Sequence, residues 1–498
     1  MKAFLMFRDR DFDLQQKSPM NEKELIQDLE LNTLFNAMAL GDKFLFEVAK
    51  KSVLSTLSDI EAIRYRQDIL QDCLKNSSIV KGLYDLASES IERQKKNWGY
   101  SSKYPSLILY GATEALRTFV DMLKLLRNIA DEHAGKFESE GFTTLYAMFR
   151  KELSDEYFAH VEDHLARLKF RDGVLISSQL GEGNRGSDYV LRKPHKQKQS
   201  WMQRIFAKKP VVYTFILHPR DDAGARALSE LKDRGTNLVA NALAQSADHI
   251  LSFFKMLRTE LAFYIGCLNL HEQLTKKGEP VSFPLPATAD KRKHSFKSLY
   301  DVCLALSLEQ RVVGNDVNAD DKNIVIITGA NHGGKSTFLR SVGLAQLMMQ
   351  CGMFVPATSF CANVCNHVFT HYKREEDASM KSGKFDEELS RMSDIADDVT
   401  PDSMILFNES FAATNEREGS EIARQVTCAL SEKRIKIFYV THMYEIAHDL
   451  YDKKMDDAIF LRAERKPDGG RTFKVIEGEP LETSYGEDLY KKIFESDN

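Results

Sequence analysis

The stretch that most limits what this chain can become is NIVIITGANHGGKSTFLRSV, residues 323–342. A β-branched apolar run stops at Gly329, four residues pass, and Gly-Lys-Ser opens a helical pattern. Strand, glycine-bounded loop and helix in that order form a phosphate-binding loop, and GANHGGKS fits G-x-x-x-x-G-K-[ST]. Gly329, Gly333 and Gly334 let the backbone curl so that its N–H groups face phosphate oxygens, and the helix adds the positive end of its dipole. Lys335 is predicted to neutralise the β- and γ-phosphates, and Ser336 to hold Mg²⁺ through its hydroxyl.

Such a loop needs an acidic strand end nearby, and DSMILFNES supplies one. Its apolar run, Met404 to Phe407, leads to Asn408 and Glu409. Glu409 is the candidate to orient or deprotonate an attacking water. Asn408 stands where an aspartate usually helps to hold Mg²⁺; an amide keeps the carbonyl ligand and loses the charge, so nucleotide should still bind while turnover is slow. A third run, IKIFYV, ends in Thr441-His442, where the histidine is placed to sense or stabilise a γ-phosphate. Apolar runs ending at Ile327, Phe407 and Val440 alternate with helical stretches, which marks an α/β domain.

The chain has 498 residues, too many for one ordinary core, so several domains are expected. Residues 1–168 read as a helical core, with apolar positions three and four apart in LNTLFNAMALGDKFLFEVAKKSVLSTL. Residues 169–224 read as a small β-containing insert: GVLISSQL, SDYVLR and VVYTFIL are strand patterns. Between the last two lies a basic loop carrying Arg192, Lys193, Lys196, Lys198, Arg204, Lys208 and Lys209, a pattern that suits nucleic-acid phosphates, an anionic membrane surface or a plain solvated loop. Residues 225–280 return to the helical period, as one long helix or as a pair bending near Gly235. Residues 281–498 hold the phosphate loop and begin with a second basic run, Lys291 to Lys297.

No apolar run approaches the roughly 18 residues of a bilayer span, so no membrane partner is expected. The start, MKAFLMFRDRDFDL, has too short an apolar stretch for a secretory leader. Seven scattered cysteines form no disulfide framework, which points to a reducing cytoplasm. Cys361, Cys365, His367 and His371 have zinc-like spacing, but the apolar residues among them read as a half-buried strand with packed cysteines. A net charge of −5 argues against a uniformly basic nucleic-acid coat, not against a local basic groove.

The order TGANHGGKSTFLR, GMFVPA, FNESFAATNEREGSEIA, FYVTHMYEIAH resembles the ATPase domain of the MutS DNA mismatch repair family. The upstream helical stretch from Leu31 is similar to the start of that family's core, and the helices from Ala225 to its lever and clamp. The resemblance implies a multidomain α plus α/β protein: a helical core and lever-clamp region followed by an ABC-type P-loop ATPase domain. It implies that Asn331, Gly334, Lys335, Ser336 and Thr337 hold ATP, that Glu409 is catalytic, and that His442 is a switch histidine. In the family, ATP lies between two subunits, which implies a homodimer. Ser382, in DASMKSGKFDEEL, is then the candidate for a phosphate contact made in trans, and Thr414 and Asn415 match a second interface motif. TSYGEDLYKKIF resembles the family's Ser-Tyr-Gly segment, followed by too few residues for the usual dimer helices. The helical core begins within about thirty residues of Met1, so no mismatch-reading domain is expected in front of it.

Two functions are consistent with these residues. One is an ATP-dependent, dimeric DNA clamp in mismatch repair or the sensing of unusual DNA, binding duplex, mismatched or branched forms mainly through phosphates. The other is a nucleotide-switched scaffold that barely touches DNA. Asn408 and the acidic net charge favour the scaffold, and the basic stretches near Lys196 and from Lys291 to Lys297 favour the clamp.

Overall fold

The structure, a computed structural model, describes residues 1–95, 104–170, 173–193, 213–374, 383–467 and 470–481. The chain divides into two compact units. One comprises residues 1–3, 82–137 and 143–258; the other comprises 4–81, 138–142 and 259–498.

The first unit is mainly helical. Helices Pro105–His133 and Asp155–Arg167 belong to it, with most of Ser77–Lys95 and Glu140–Glu152. Proline at the first turn of Pro105–His133 sits where an N–H would lack a partner anyway. Ser154 caps the next helix by accepting from the Tyr157 N–H at 3.2 Å. Aromatic rings fill the core: Phe119 stacks on Phe254 with centroids 5.8 Å apart, and Phe149 meets Phe253 edge-on at 6.0 Å. Two strands, β1 (Leu175–Leu180) and β2 (Gly186–Arg192), pair antiparallel. Of the third predicted strand, VVYTFIL, the described residues 213–217 lie in no strand, and Tyr213, Phe215 and Ile216 are exposed. Strand propensity alone does not secure pairing, and among the described residues β1 and β2 pair with each other. The helical pattern beyond is one 55-residue helix, Asp222–Lys276, with no break at Gly235; its residues 222–258 fall in this unit.

The second unit is built on two sheets. Strands β3 (Leu285–Ala287), β4 (His294–Leu299), β5 (Asn315–Asn318) and β7 (Ser359–Asn363) form a four-stranded sheet in the order β3-β7-β4-β5. The larger sheet contains β6 (Ile324–Gly329), β8 (Val368–Tyr372), β9 (Met404–Asn408), β10 (Lys436–Val440), β11 (Ala458–Arg465) and β12 (Arg471–Glu477). Its order is β12-β11-β6-β10-β9-β8, parallel throughout except for β12. β6 and β10 are buried at every residue, as parallel strands covered on both faces must be.

The amino-terminal segment is built into this second unit. The Glu260 carboxylate accepts from the Leu5 N–H at 2.6 Å and from the Phe12 N–H at 3.0 Å. Arg66, fully buried, donates to the Met6 carbonyl at 2.9 Å and the Cys351 carbonyl at 3.2 Å. Among the described residues no helix is long and apolar enough to cross a membrane.

Candidate functional site

The predicted phosphate loop leaves the buried strand β6 and enters helix Lys335–Gln350. Gly329 and Gly334 have φ of +101° and +85°, which side chains rarely adopt; a Cβ on Gly329 would also stand 2.9 Å from the Ala463 nitrogen. Gly334 caps the helix, and its carbonyl accepts the first helical bond, from Phe338 at 2.8 Å. Lys335 is buried and folds back on the loop, donating to the carbonyls of Gly329 at 2.9 Å and Ala330 at 3.1 Å. Burial lowers its pKa, the Glu409 carboxylate opposes that shift, and Arg471 adds to it.

Asn408 ends β9 beside this loop, and its side-chain carbonyl accepts from the Ser336 hydroxyl at 2.9 Å. The two residues singled out in the sequence for Mg²⁺ are therefore in direct contact, although 72 positions apart. Glu409 follows in the left-handed region, at φ 54°, with its N–H bound to the Val440 carbonyl at 2.8 Å. Its carboxylate lies 3.9 Å from the Nδ1 of His442, which follows β10. Adjacent parallel strands thus bring Asn408, Glu409 and His442 to the same sheet end as the loop. Asn331, Gly333, Thr337 and Glu409 all line one cavity with Lys335 and Ser336.

Behind Glu409 lies a buried polar group that the sequence did not reveal. Ser410 donates to the His371 carbonyl at 2.5 Å, and its oxygen is 2.7 Å from the His371 Nδ1. The opposite ring nitrogen, Nε2, is 3.0 Å from the Glu388 carbonyl, and the Tyr439 hydroxyl donates to the Ser410 carbonyl at 2.8 Å. Burial, and then the Arg391 charge, push the His371 pKa down to about 4, so the ring is neutral and Nε2 is the donor. His371 therefore serves this turn and not a metal. Among the described residues no group of three or more His, Cys, Asp or Glu could hold a metal ion, and Cys365 is buried in the fold.

Arg471 and Phe473, on β12, also belong to the site and had no motif to announce them. Arg471 donates from Nε to the Asn331 carbonyl at 3.2 Å, within the phosphate loop, and Phe473 packs 3.5 Å from where a Cβ of Gly334 would sit. Leu299, Tyr300, Leu304 and Val312 give the same cavity an apolar wall. Thr414 and Asn415 form a helix cap: both bond the Glu418 carboxylate, at 2.8 and 2.7 Å, and Asn415 accepts the Glu418 N–H. Ser382, the segment TSYGEDLYKKIF and the basic positions Lys196, Lys198, Arg204, Lys208 and Lys209 lie outside the described residues. As a whole, the arrangement joins a backbone anion cradle, a buried ammonium, a polar pair suited to a hard cation and a carboxylate at the mouth.

Comparison with known proteins matches two parts of the chain. Residues 58–277 match the family described as MutS2 N-terminal domain, and residues 325–494 match MutS domain V. A DNA mismatch repair protein MutS of Clostridium botulinum is 32% identical over 190 residues, which cover 35% of this chain and 19% of that protein. The Thermotoga maritima protein of that name is 32% identical over 184 residues, covering 36% and 23%. The chain thus spans about a fifth of the length of these curated relatives.

Proposed function

The chain belongs to the MutS family, and from that premise we propose that its second unit binds and slowly hydrolyses ATP, and that nucleotide state governs the grip of a homodimer on DNA. The observation that carries the proposal is the Ser336–Asn408 contact at the end of a glycine loop, with Lys335, Glu409 and His442 at the same place. Backbone N–H groups of the loop and Lys335 would cradle the triphosphate, Lys335 exchanging its two carbonyl partners for phosphate oxygens. Mg²⁺, when bound, would neutralise charge on the β- and γ-phosphoryl oxygens, and Ser336 and Asn408 are the residues that would hold it. Glu409 would orient water and accept its proton, while His442 beside it would report the γ-phosphate. Arg471 would add a second cation beside the loop. The apolar wall from Leu299 to Val312 suits the nucleotide's base.

Helical lever and clamp regions, contacts made in trans by Ser382, and binding to duplex, mismatched or branched DNA are part of this proposal by family likeness. The relatives' name supports mismatch repair as the setting. Asn408, which offers no charge to a cation, supports the second reading, a nucleotide-switched scaffold with little DNA contact.

One experiment separates these readings. ATP affinity, turnover and binding to matched, mismatched and branched DNA would be measured at fixed salt, with and without a non-hydrolysable analogue. Lys335→Ala should lose ATP binding by at least roughly 100-fold, and Glu409→Gln should bind ATP and trap it. ATP affinity retained in Lys335→Ala would sink the site assignment. Nucleotide binding without DNA binding would select the scaffold.

A further inference from the structure

The basic run that begins at Lys291 lines no part of the nucleotide site. Lys293 is paired with Asp320 at 2.8 Å. Arg292 instead lines a small pocket with Lys322, Arg434 and Lys436. These four cations come from three segments of the second unit: Arg292 from the turn before β4, Lys322 from the loop before β6, and Arg434 and Lys436 from the start of β10. Asn323, Asn363 and Ser403 add polar groups, and Asp402 is the one carboxylate in the wall.

The cations are incompletely satisfied. Arg434 is held by Asp402 at 2.7 Å, and Lys322 donates to the Asp456 carbonyl at 2.6 Å. Lys436, buried to 6% exposure, has three N–H donors and one acceptor, the Ala319 carbonyl at 3.2 Å. Arg292 has no hydrogen-bond or ion-pair partner for its guanidinium among the described residues. Burial pushes the Lys436 pKa down to about 8; Cys365, Asp320 and Asp321 oppose that shift, and Arg292 adds to it. Four positive groups thus meet a single carboxylate in the pocket wall, with Asp320 and Asp321 acting on Lys436 from outside it.

Local turns set the two arginines: Arg292 is the left-handed cap of the short helix Ala289–Lys291, and Arg434, also left-handed, follows the end of helix Glu416–Glu432. The pocket is also remote from the phosphate loop. Asn323 precedes β6 and the loop follows it, so the six-residue strand, roughly 20 Å long, separates them.

We propose that this pocket is a second oxyanion site, taking a phosphate-type dianion either free or as the terminal phosphate of a larger ligand. Arg292 and Arg434 offer planar donor forks to its oxygens, and Lys436 supplies a buried point charge beneath it.

Calorimetric titration of the full chain with inorganic phosphate tests the assignment, in the wild type and in Lys335→Ala, Arg292→Ala and Lys436→Met. Saturable binding should persist in Lys335→Ala and weaken roughly tenfold in Arg292→Ala, the loss of one charge-assisted contact. Lys436→Met keeps the side-chain length and removes the charge; should it fail to fold, Arg292→Ala, on a half-exposed side chain, carries the test. Titration with pTpT against TpT separates the sources. Tighter binding of pTpT than of phosphate identifies a terminal phosphate, and binding of phosphate with no response to pTpT identifies the free anion. Binding lost in Lys335→Ala but intact in Arg292→Ala would place the anion in the phosphate loop and overturn the proposal, as would the absence of saturable binding.

Discussion

Ser410 sits between two residues whose backbones are both left-handed, Glu409 at φ 54° and Phe411 at 63°. Its bonds to His371 and the bond it accepts from Tyr439 hold that turn, and the turn aims the Glu409 carboxylate. Ser410→Ala should therefore lower kcat roughly 5- to 30-fold, about 1–2 kcal/mol, while ATP affinity stays within twofold. Equal losses in affinity and kcat would mean general damage and not misplacement. Asn408→Asp adds a charge beside Ser336, and turnover at saturating Mg²⁺ should rise roughly tenfold. An unchanged rate would mean that the carbonyl oxygen suffices. Glycine spacing and the apolar run before it made Lys335 and Ser336 legible in the sequence. Ser410 and His371 were not, because 39 positions separate them and neither belongs to a recurring pattern. Arg471 meets the loop from 140 positions away, a contact created by sheet order alone.

At the scale of elements, β6, β9 and β10 formed where apolar runs of strand length ended in turn residues. VVYTFIL had the same kind of pattern, yet its described residues, 213–217, lie in no strand, so pattern alone does not make one. The helix after the phosphate loop shows how closely its neighbours fit. A Cβ at Gly343 would stand 2.6 Å from the Leu406 Cδ1 and 2.9 Å from the Leu29 Cδ2, and both leucines are fully buried. Alanine would improve helix propensity by about 1 kcal/mol, but overpacking costs about 1–3. Gly343→Ala should therefore lower stability by up to about 2 kcal/mol in urea denaturation. A gain would show that the two leucines can move aside.

For the whole molecule, the sequence divides less simply than its helical and α/β halves suggest. The second unit takes residues 4–81 and 138–142 as well as everything after 258, and no local pattern announces that return. Glu260 marks it, bound to Leu5 from 255 positions away. Burial pushes its pKa up to about 7 from 4.5, against backbone N–H bonds from Leu5, Phe12 and Met6 that favour the charge. Between those pH values the folded state holds the proton more firmly than the unfolded chain. The contribution is therefore complete below about pH 4.5 and lost as pH rises through about 7, on the order of 3 kcal/mol at 1.36 kcal/mol per pH unit. The urea midpoint should fall over that range in the wild type and fall less in Glu260→Gln. Identical slopes would remove Glu260 from the account.

That same return has a consequence for synthesis. Phe12 emerges from the ribosome 248 positions ahead of the carboxylate that receives its N–H. At about 5–20 residues per second the wait is roughly 12–50 s. Throughout it Leu5, Met6 and Phe12, all buried in the finished protein, lack the Glu260 carboxylate that completes their site. Nascent chains stalled before and after residue 260 should therefore differ in how strongly a chaperone holds their first residues.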